Sequence, residues 1–272
     1  GFGYWPGDRQ PHMWGTIYAM SALTRAKLAG LELPKDRMEK ALKYLEDEIE
    51  GSGKRDATFR AFASYILSLN NELKQEAFNR VYKDINNQPR EAALLTLMAA
   101  KISRLLPDET VKSLLKPILE RPWSLNRSDE FHARYRDPAI SVLASTLVFP
   151  GEEITDRLAG RLMGGMSKEG IWSSTSDTGW ALVALSEYFI GSKTDDMPAE
   201  VTVRQGEKAI GTFNLDPKSY RTMELEPELF LKNPKFTITS NNNQTLLYRV
   251  ALTFPRLDYS QKGYSNGFEI HK

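Results

Sequence analysis

Few residues in this sequence have the types and spacing for chemistry. There are three histidines, His12, His132 and His271, and no cysteine. No histidine stands at ligand spacing from another histidine or from a carboxylate, so no metal site is expected. The lack of cysteine excludes disulfides, thiolate metal sites and a cysteine nucleophile within these residues. His132 lies in "EFHARYRD" (130–137), where His132, Tyr135 and Arg136 have the types used by a polysaccharide lyase or glycosidase. Asp129, Glu130 and Asp137 offer a carboxylate pair for glycoside hydrolysis, but nothing in the sequence sets their separation. A rim loop carries polar residues in any case, and the aromatics here have packing to do. The first reading of the His132–Arg136 segment is therefore structural, and no residue is assigned a catalytic, cofactor-binding or metal-binding role.

"GFGYWPGD" (1–8) raises the possibility of a ligand-gripping loop. Its glycines do not follow a strand and open a helix as a phosphate loop does. Pro6 also removes a backbone donor that such a nest would need. A packed turn entering the helix at Trp14 is expected. "MGGMSKEGIWSS" (163–174) has the same character, a glycine-rich stretch, then an aromatic, then a capped helix.

The elements that must hold these residues are legible from periodicity. In 272 residues, 41% are hydrophobic and the formal net charge is +1. The apolar fraction is enough for a core, and the charge gives no case for a nucleic-acid or membrane-surface partner. No apolar run approaches the roughly 20 residues of a membrane-spanning helix. From Trp14 to Ile190 the pattern is helical and of two alternating kinds. Runs 14–23, 57–69, 90–102, 137–148 and 177–189 are apolar nearly all round and are expected to be inner helices. Runs 36–50, 74–85, 109–119 and 155–166 carry one apolar stripe, such as Met38, Ala41, Leu42, Leu45 and Ile49, and are expected to be outer helices. The interval between repeats is irregular, which argues against tetratricopeptide repeats.

An inner layer inside an outer layer is an α/α toroid, here about nine of twelve helices. Such a broken ring is expected to expose apolar surface around Trp14, Ile17 and Phe59 and to associate through it. Ser176-Asp177 is expected to cap the last inner helix, with Gly30 and Gly191 closing helices.

After Lys193 the pattern turns to period two. Five strands are expected, "AEVTVRQG" (199–206), "KAIGTFNL" (208–215), "YRTMELEP" (220–227), "KFTITS" (235–240) and "TLLYRVALTF" (245–254). That is a thin antiparallel sheet, half of a two-layer sandwich. The expected class is mainly α with a smaller β region. It divides into an α/α toroid at 1–193, an antiparallel β unit at 194–260 and the first strand of a further domain at 261–272. Both ends read as cut from something longer.

Three segments together resemble the thioester-containing domain of bacterial α-2-macroglobulins: "GFGYWPGD…WGTIYAMSALTRAKLAGLELP", "RYRDPAISVLASTLVFPGEE" and "GIWSSTSDTGWALVALSEYF". The resemblance implies a toroid inserted in a CUB-like β domain and followed by a macroglobulin-like domain. It implies a broad-spectrum protease trap of the periplasm or cell envelope, its parent a lipoprotein anchored to a membrane. Target proteases and the parent's other macroglobulin-like domains would be the partners, with no cofactor, no nucleic acid and no turnover. The family's thioester joins a Cys to a Gln, and this chain has no Cys. The neighbourhood that carries a hydroxyl-directing His in complement relatives corresponds to "GSGKRDATFRAFA" (51–63), which has none. Amine targets are expected for any thioester upstream.

Overall fold

The structure, a computed structural model, describes residues 1–5, 7–51, 56–123, 133–167, 169–191, 198–216, 219–242, 246, 248 and 250. The helices are α1 (Met13–Leu28), α2 (Lys35–Glu50), α3 (Ala57–Leu69), α4 (Gln75–Tyr82), α5 (Arg90–Ile102), α6 (Asp108–Glu120), α7 (Arg136–Val148), α8 (Glu153–Gly164) and α9 (Thr175–Gly191). All nine expected helices are present. α1 runs on to Leu28, beyond its expected end, and Ile85 falls in a short 3-10 turn after α4.

The two kinds of helix take the two expected layers. α5 is buried continuously from Arg90 to Ala100, and α7 from Arg136 to Ser145. α2 buries only the stripe Met38, Ala41, Leu42, Leu45, Glu46 and Ile49. The inner helices pack in sequence, α1 on α3, α3 on α5, α5 on α7 and α7 on α9. Each adjacent inner pair carries one outer helix. α2 lies on α1 and α3, α4 on α3 and α5, α6 on α5 and α7, and α8 on α7 and α9. At the two ends of this arc, α9 keeps an exposed face through Gly179, Leu182, Ser186 and Ile190, while α1 is exposed only at Ala22 and at its last two residues, Lys27 and Leu28.

The arc does not leave its apolar interior open. Trp14 is 8% exposed and Ile17 and Phe59 are fully buried, contrary to the expectation of an apolar patch there. The reason is that α1 and α9 approach each other through side chains. The Tyr18 and Trp180 rings meet edge to face at 6.3 Å between centroids. Arg25 Nη1 lies 3.1 Å from Glu187 Oε1. Trp14, Phe59, Phe62 and Trp180 fill the space within, with ring centroids 5.6–5.9 Å apart.

Ends of the helices are set by local chemistry. α1 stops at Gly30, whose φ of +87° suits a residue without a β-carbon. The Gly30 and Leu31 amides then donate to the carbonyls of Lys27 and Ala26, each at 3.0 Å. α9 is capped by Ser174 and not by the expected Ser176-Asp177 pair. Ser174 Oγ accepts from the Asp177 amide at 3.0 Å and donates to the Asp177 carboxylate at 2.9 Å, so Asp177 supports the cap from inside the first turn. Gly191 is the last residue of α9 and not a cap beyond it. Between α8 and α9, Gly165 lies under the ring of Tyr135, in space that a β-carbon would need. Gly165→Ala is expected to cost about 1–3 kcal/mol through overpacking, read as a lower urea midpoint at unchanged slope.

Beyond the helical layers stands a small sheet of β1 (Ala199–Gln205), β2 (Lys208–Leu215) and β3 (Thr237–Ser240), antiparallel in the order β2-β1-β3. Gln205 faces Lys208, so Gly206 and Glu207 make a two-residue turn, with Gly206 at φ +60°. The expected strand at 220–227 does not form. Met223 instead lays its sulfur against Gly211 of β2, and Pro227 opens a short helix, α10 (Pro227–Lys232). Gln205 Nε2 holds that helix by donating to the carbonyls of Leu229 at 2.6 Å and Asn233 at 2.7 Å. Apart from 246, 248 and 250, the expected strand 245–254 lies outside the described residues, as does the expected domain start at 261–272. No described helix is long and apolar enough to cross a membrane.

Candidate functional site

Among the described residues, buried charge gathers at the N-terminal ends of the inner helices, apart from Glu46 of α2, which pairs with Lys43 and Lys74. α5 begins Arg90-Glu91 and α7 begins Arg136-Asp137. All four are buried, with Arg136 and Glu91 each 1% exposed. A buried charge is costly unless paired and hydrogen-bonded, so these four side chains must satisfy one another. They do so crosswise between the two helices. Arg136 grips the Glu91 carboxylate with Nε on Oε1 and Nη2 on Oε2, the latter at 3.0 Å. Arg90 Nη1 pairs with Asp137 Oδ1 and also donates to Ser141 Oγ at 2.9 Å. Arg90 donates further to the carbonyls of Ile118 and Leu119 at the end of α6, at 3.0 and 3.4 Å. Burial pulls the Arg90 guanidinium below its ordinary pKa, and Asp137 opposes that shift.

Arg136 reaches across the ring as well. Its Nη1 donates to Tyr18 Oη of α1 at 3.0 Å. Its guanidinium carbon lies 5.8 Å from the Trp14 ring centroid and 5.6 Å from that of Phe62. Trp180 of α9 packs on both Phe62 and Tyr18. One side chain on α7 thus joins α1, α3 and α5 directly, and α9 through one further ring. Asp177 ties the start of α9 to that of α7. At 2% exposure it accepts from the Tyr135 amide at 2.6 Å and from the hydroxyls of Ser173 and Ser174 at 2.6 and 2.9 Å.

This arrangement removes two candidates from substrate chemistry. Arg136 is engaged by Glu91 and Tyr18 beneath two aromatic rings, and Asp137 by Arg90 at 3% exposure. Of the segment's other described residues, Arg134 is exposed over the Tyr135 ring, and Tyr135 is half-buried. Asp129, Glu130, His132 and His271 lie outside the described residues. Among the described residues no group of three or more His, Asp or Glu is placed to hold a metal ion. His12 is an N-cap. Its Nδ1 accepts from the Gly15 amide at 3.0 Å.

The opening turn is only partly the packed element expected. Phe2 packs on the core, and its amide donates to Thr16 Oγ1 at 2.8 Å. Its carbonyl accepts from the His12 amide at 2.7 Å. Tyr4 and Trp5 project outward, 53% and 70% exposed. Asp8 knots their turn by accepting from the Trp5 amide at 2.7 Å while its own amide donates to the Trp5 carbonyl at 3.2 Å.

The inner and outer helix layers with a small antiparallel sheet after them define the fold, and solved structures share it. The chain is similar to native α-2-macroglobulin from Escherichia coli, in a structure running from domain MG7 to the C-terminus. The TM-score is 0.57 at 16% identity, over 80% of this chain and 35% of that one. It is similar to the Escherichia coli protein activated by porcine elastase, with a TM-score of 0.55 at 17% identity, over 80% of this chain and 20% of that one. A third likeness is to Salmonella α-2-macroglobulin reacted with methylamine, with a TM-score of 0.56 at 16% identity, over 90% of this chain and 16% of that one. The chain therefore spans about a third or less of the structures it resembles. No protein-family model matches it, and no curated protein does.

Proposed function

We propose that these residues form the helical domain and adjoining β unit of a bacterial α-2-macroglobulin-like protease trap of the cell envelope, acting as a structural and interaction module without turnover. The observation that carries the reading is the ladder of inner and outer helices around a sealed centre. The same fold recurs in native, trypsin-activated and elastase-activated Escherichia coli α-2-macroglobulin over 80% of this chain. The interior supports it too, because the charges at the ring centre are spent on one another and hold geometry. Covalent capture of a protease would use a cysteine outside residues 1–272, since these contain none. The Salmonella structure reacted with methylamine supports amines as the class of group captured.

The test uses the full-length protein that carries this chain. Trypsin or elastase incubated with it is expected to lose activity on protein substrates and to keep activity on small peptide substrates. Unchanged digestion of a protein substrate at molar excess of the full-length protein would overturn the proposal. Conjugates that survive denaturation and carry amide linkages by mass spectrometry would confirm amine capture, and ester linkages would refute it.

A further inference from the structure

The inner helices α1, α3 and α5 end in one shared motif. The residue after each C-cap takes a positive φ, Gly30 at +87°, Asn71 at +59° and Arg104 at +55°. The next amide then reaches back into the helix, Leu31 to the Ala26 carbonyl at 3.0 Å, Glu72 to Leu67 at 2.9 Å and Leu105 to Ala100 at 3.0 Å. Glycine and asparagine suit that conformation, whereas arginine carries a β-carbon and a long side chain into it. The Arg104 guanidinium makes no hydrogen bond or ion pair among the described residues. Strain retained where no local bond rewards it points to a use for the side chain. Arg104 lines a cleft of about 580 Å³ between the α5–α6 turn and the end of α7. Ile102, Leu106 and Leu147, half-buried against the core, give the cleft its apolar wall, with Pro107 beside them. Its other charges cancel, because Lys101 Nζ donates to Asp108 Oδ2 at 2.6 Å. Lys112, one turn further along α6, is likewise paired with Glu109 at 3.3 Å. One uncompensated positive charge therefore stands beside apolar surface, in a volume within the roughly 300–1,000 Å³ of small-ligand sites.

We propose that this cleft binds a small amphiphilic carboxylate, with its single anionic head on Arg104 and its alkyl tail against Ile102, Leu106 and Leu147. A monoanion matches the one unpaired guanidinium, whose paired N–H donors fit the two carboxylate oxygens. The tail gains by leaving water for the apolar wall. A polypeptide suits the cleft less well. The amides of Ser103, Arg104 and Leu105 are spent on the carbonyls of Ala99, Lys101 and Ala100, and Pro107 has no amide to donate. Peptide carbonyls entering there would lose water without finding those donors, whereas an alkyl carboxylate is polar at one end only. The inference goes beyond the protease-trap reading and does not depend on it.

Sodium octanoate is the probe, titrated into the intact chain by calorimetry below its micelle concentration. Saturable binding of one octanoate per chain is expected, weakened at least about tenfold by Arg104→Gln or Leu147→Glu. 1-Octanol, with the same tail and no charge, should bind at least about tenfold more weakly than octanoate. Arg121→Gln, at the far end of α6, is expected to leave binding unchanged, and far-UV circular dichroism checks that each variant is folded. Arg104→Gly separates strain from use. It should raise the urea midpoint by relieving the backbone while abolishing octanoate binding, an opposition that a purely structural arginine would not show. Absence of saturable binding at millimolar octanoate, or equal affinity in Arg104→Gln, would overturn the proposal. So would octanol binding as tightly as octanoate, or a peptide ending in a leucine carboxylate binding where octanoate does not, which would assign the cleft to a polypeptide terminus.

Discussion

Arg136→Ala is expected to lower the unfolding free energy by about 3–5 kcal/mol, a large part of the 5–15 kcal/mol that holds a typical domain. The substitution leaves the Glu91 carboxylate buried at 1% exposure without the two-pronged partner that compensates it. It also strips Tyr18 of a donor and opens space beneath Trp14 and Phe62. Arg136→Lys should recover only part of the loss, because an ammonium cannot make the paired contacts of the guanidinium fork. Replacing both Arg136 and Glu91 with leucine should be far milder than Arg136→Ala, because no orphaned charge remains. Urea midpoints of the three variants decide the matter. Equal losses in Arg136→Ala and the double leucine variant would show that packing, and not charge, dominates the site.

Phe62→Ala is expected to cost about 3–5 kcal/mol by transfer and cavity terms together. The ring is fully buried and meets Trp14, Trp180 and the Arg136 guanidinium from three sides. Those neighbours sit on three different helices, so the cavity cannot collapse by a shift of any one of them. The loss should therefore fall toward the upper end of the range. Emission from Trp14 and Trp180 reports it directly, with a red shift at low urea where the rest of the fold persists. A loss of under about 1 kcal/mol would mean that the ring centre relaxes freely, against the close packing described above.

The helices were legible because burial imposes a period. α2 shows one stripe since one side is wet, and α5 shows none since it has no wet side. The charged clasp was not read from the sequence, although a signal for it exists. Arg90-Glu91 and Arg136-Asp137 head helices that are otherwise apolar all round, and charges at the mouth of such a helix need partners. Which arginine meets which carboxylate depends on the lateral register of α5 and α7, and no local pattern encodes that. The opening turn misled for a similar reason. Glycine and aromatic residues suit packing and display equally, and only the knot at Asp8 decides that Phe2 turns in while Trp5 turns out. The segment 220–227 alternates like a strand, yet it meets β2 through the Met223 side chain at Gly211 and not as a further strand, and Gln205 holds the following α10 at the end of β1.

The ladder of inner helices has a consequence for the order in which the chain organises itself in time. Nearly all its packing joins helices next to or one removed from each other along the chain, so each hairpin can settle on the one before at small loop-closure cost. The bonds that join far ends are few. Arg136 to Tyr18 spans 118 residues and Arg25 to Glu187 spans 162. The growing arc therefore behaves as a zipper that runs to its end before its two ends clasp. Native interactions of Arg25 and Trp180 then belong to the late side of the rate-limiting barrier. Weakening them would hasten unfolding and leave the speed of folding almost untouched.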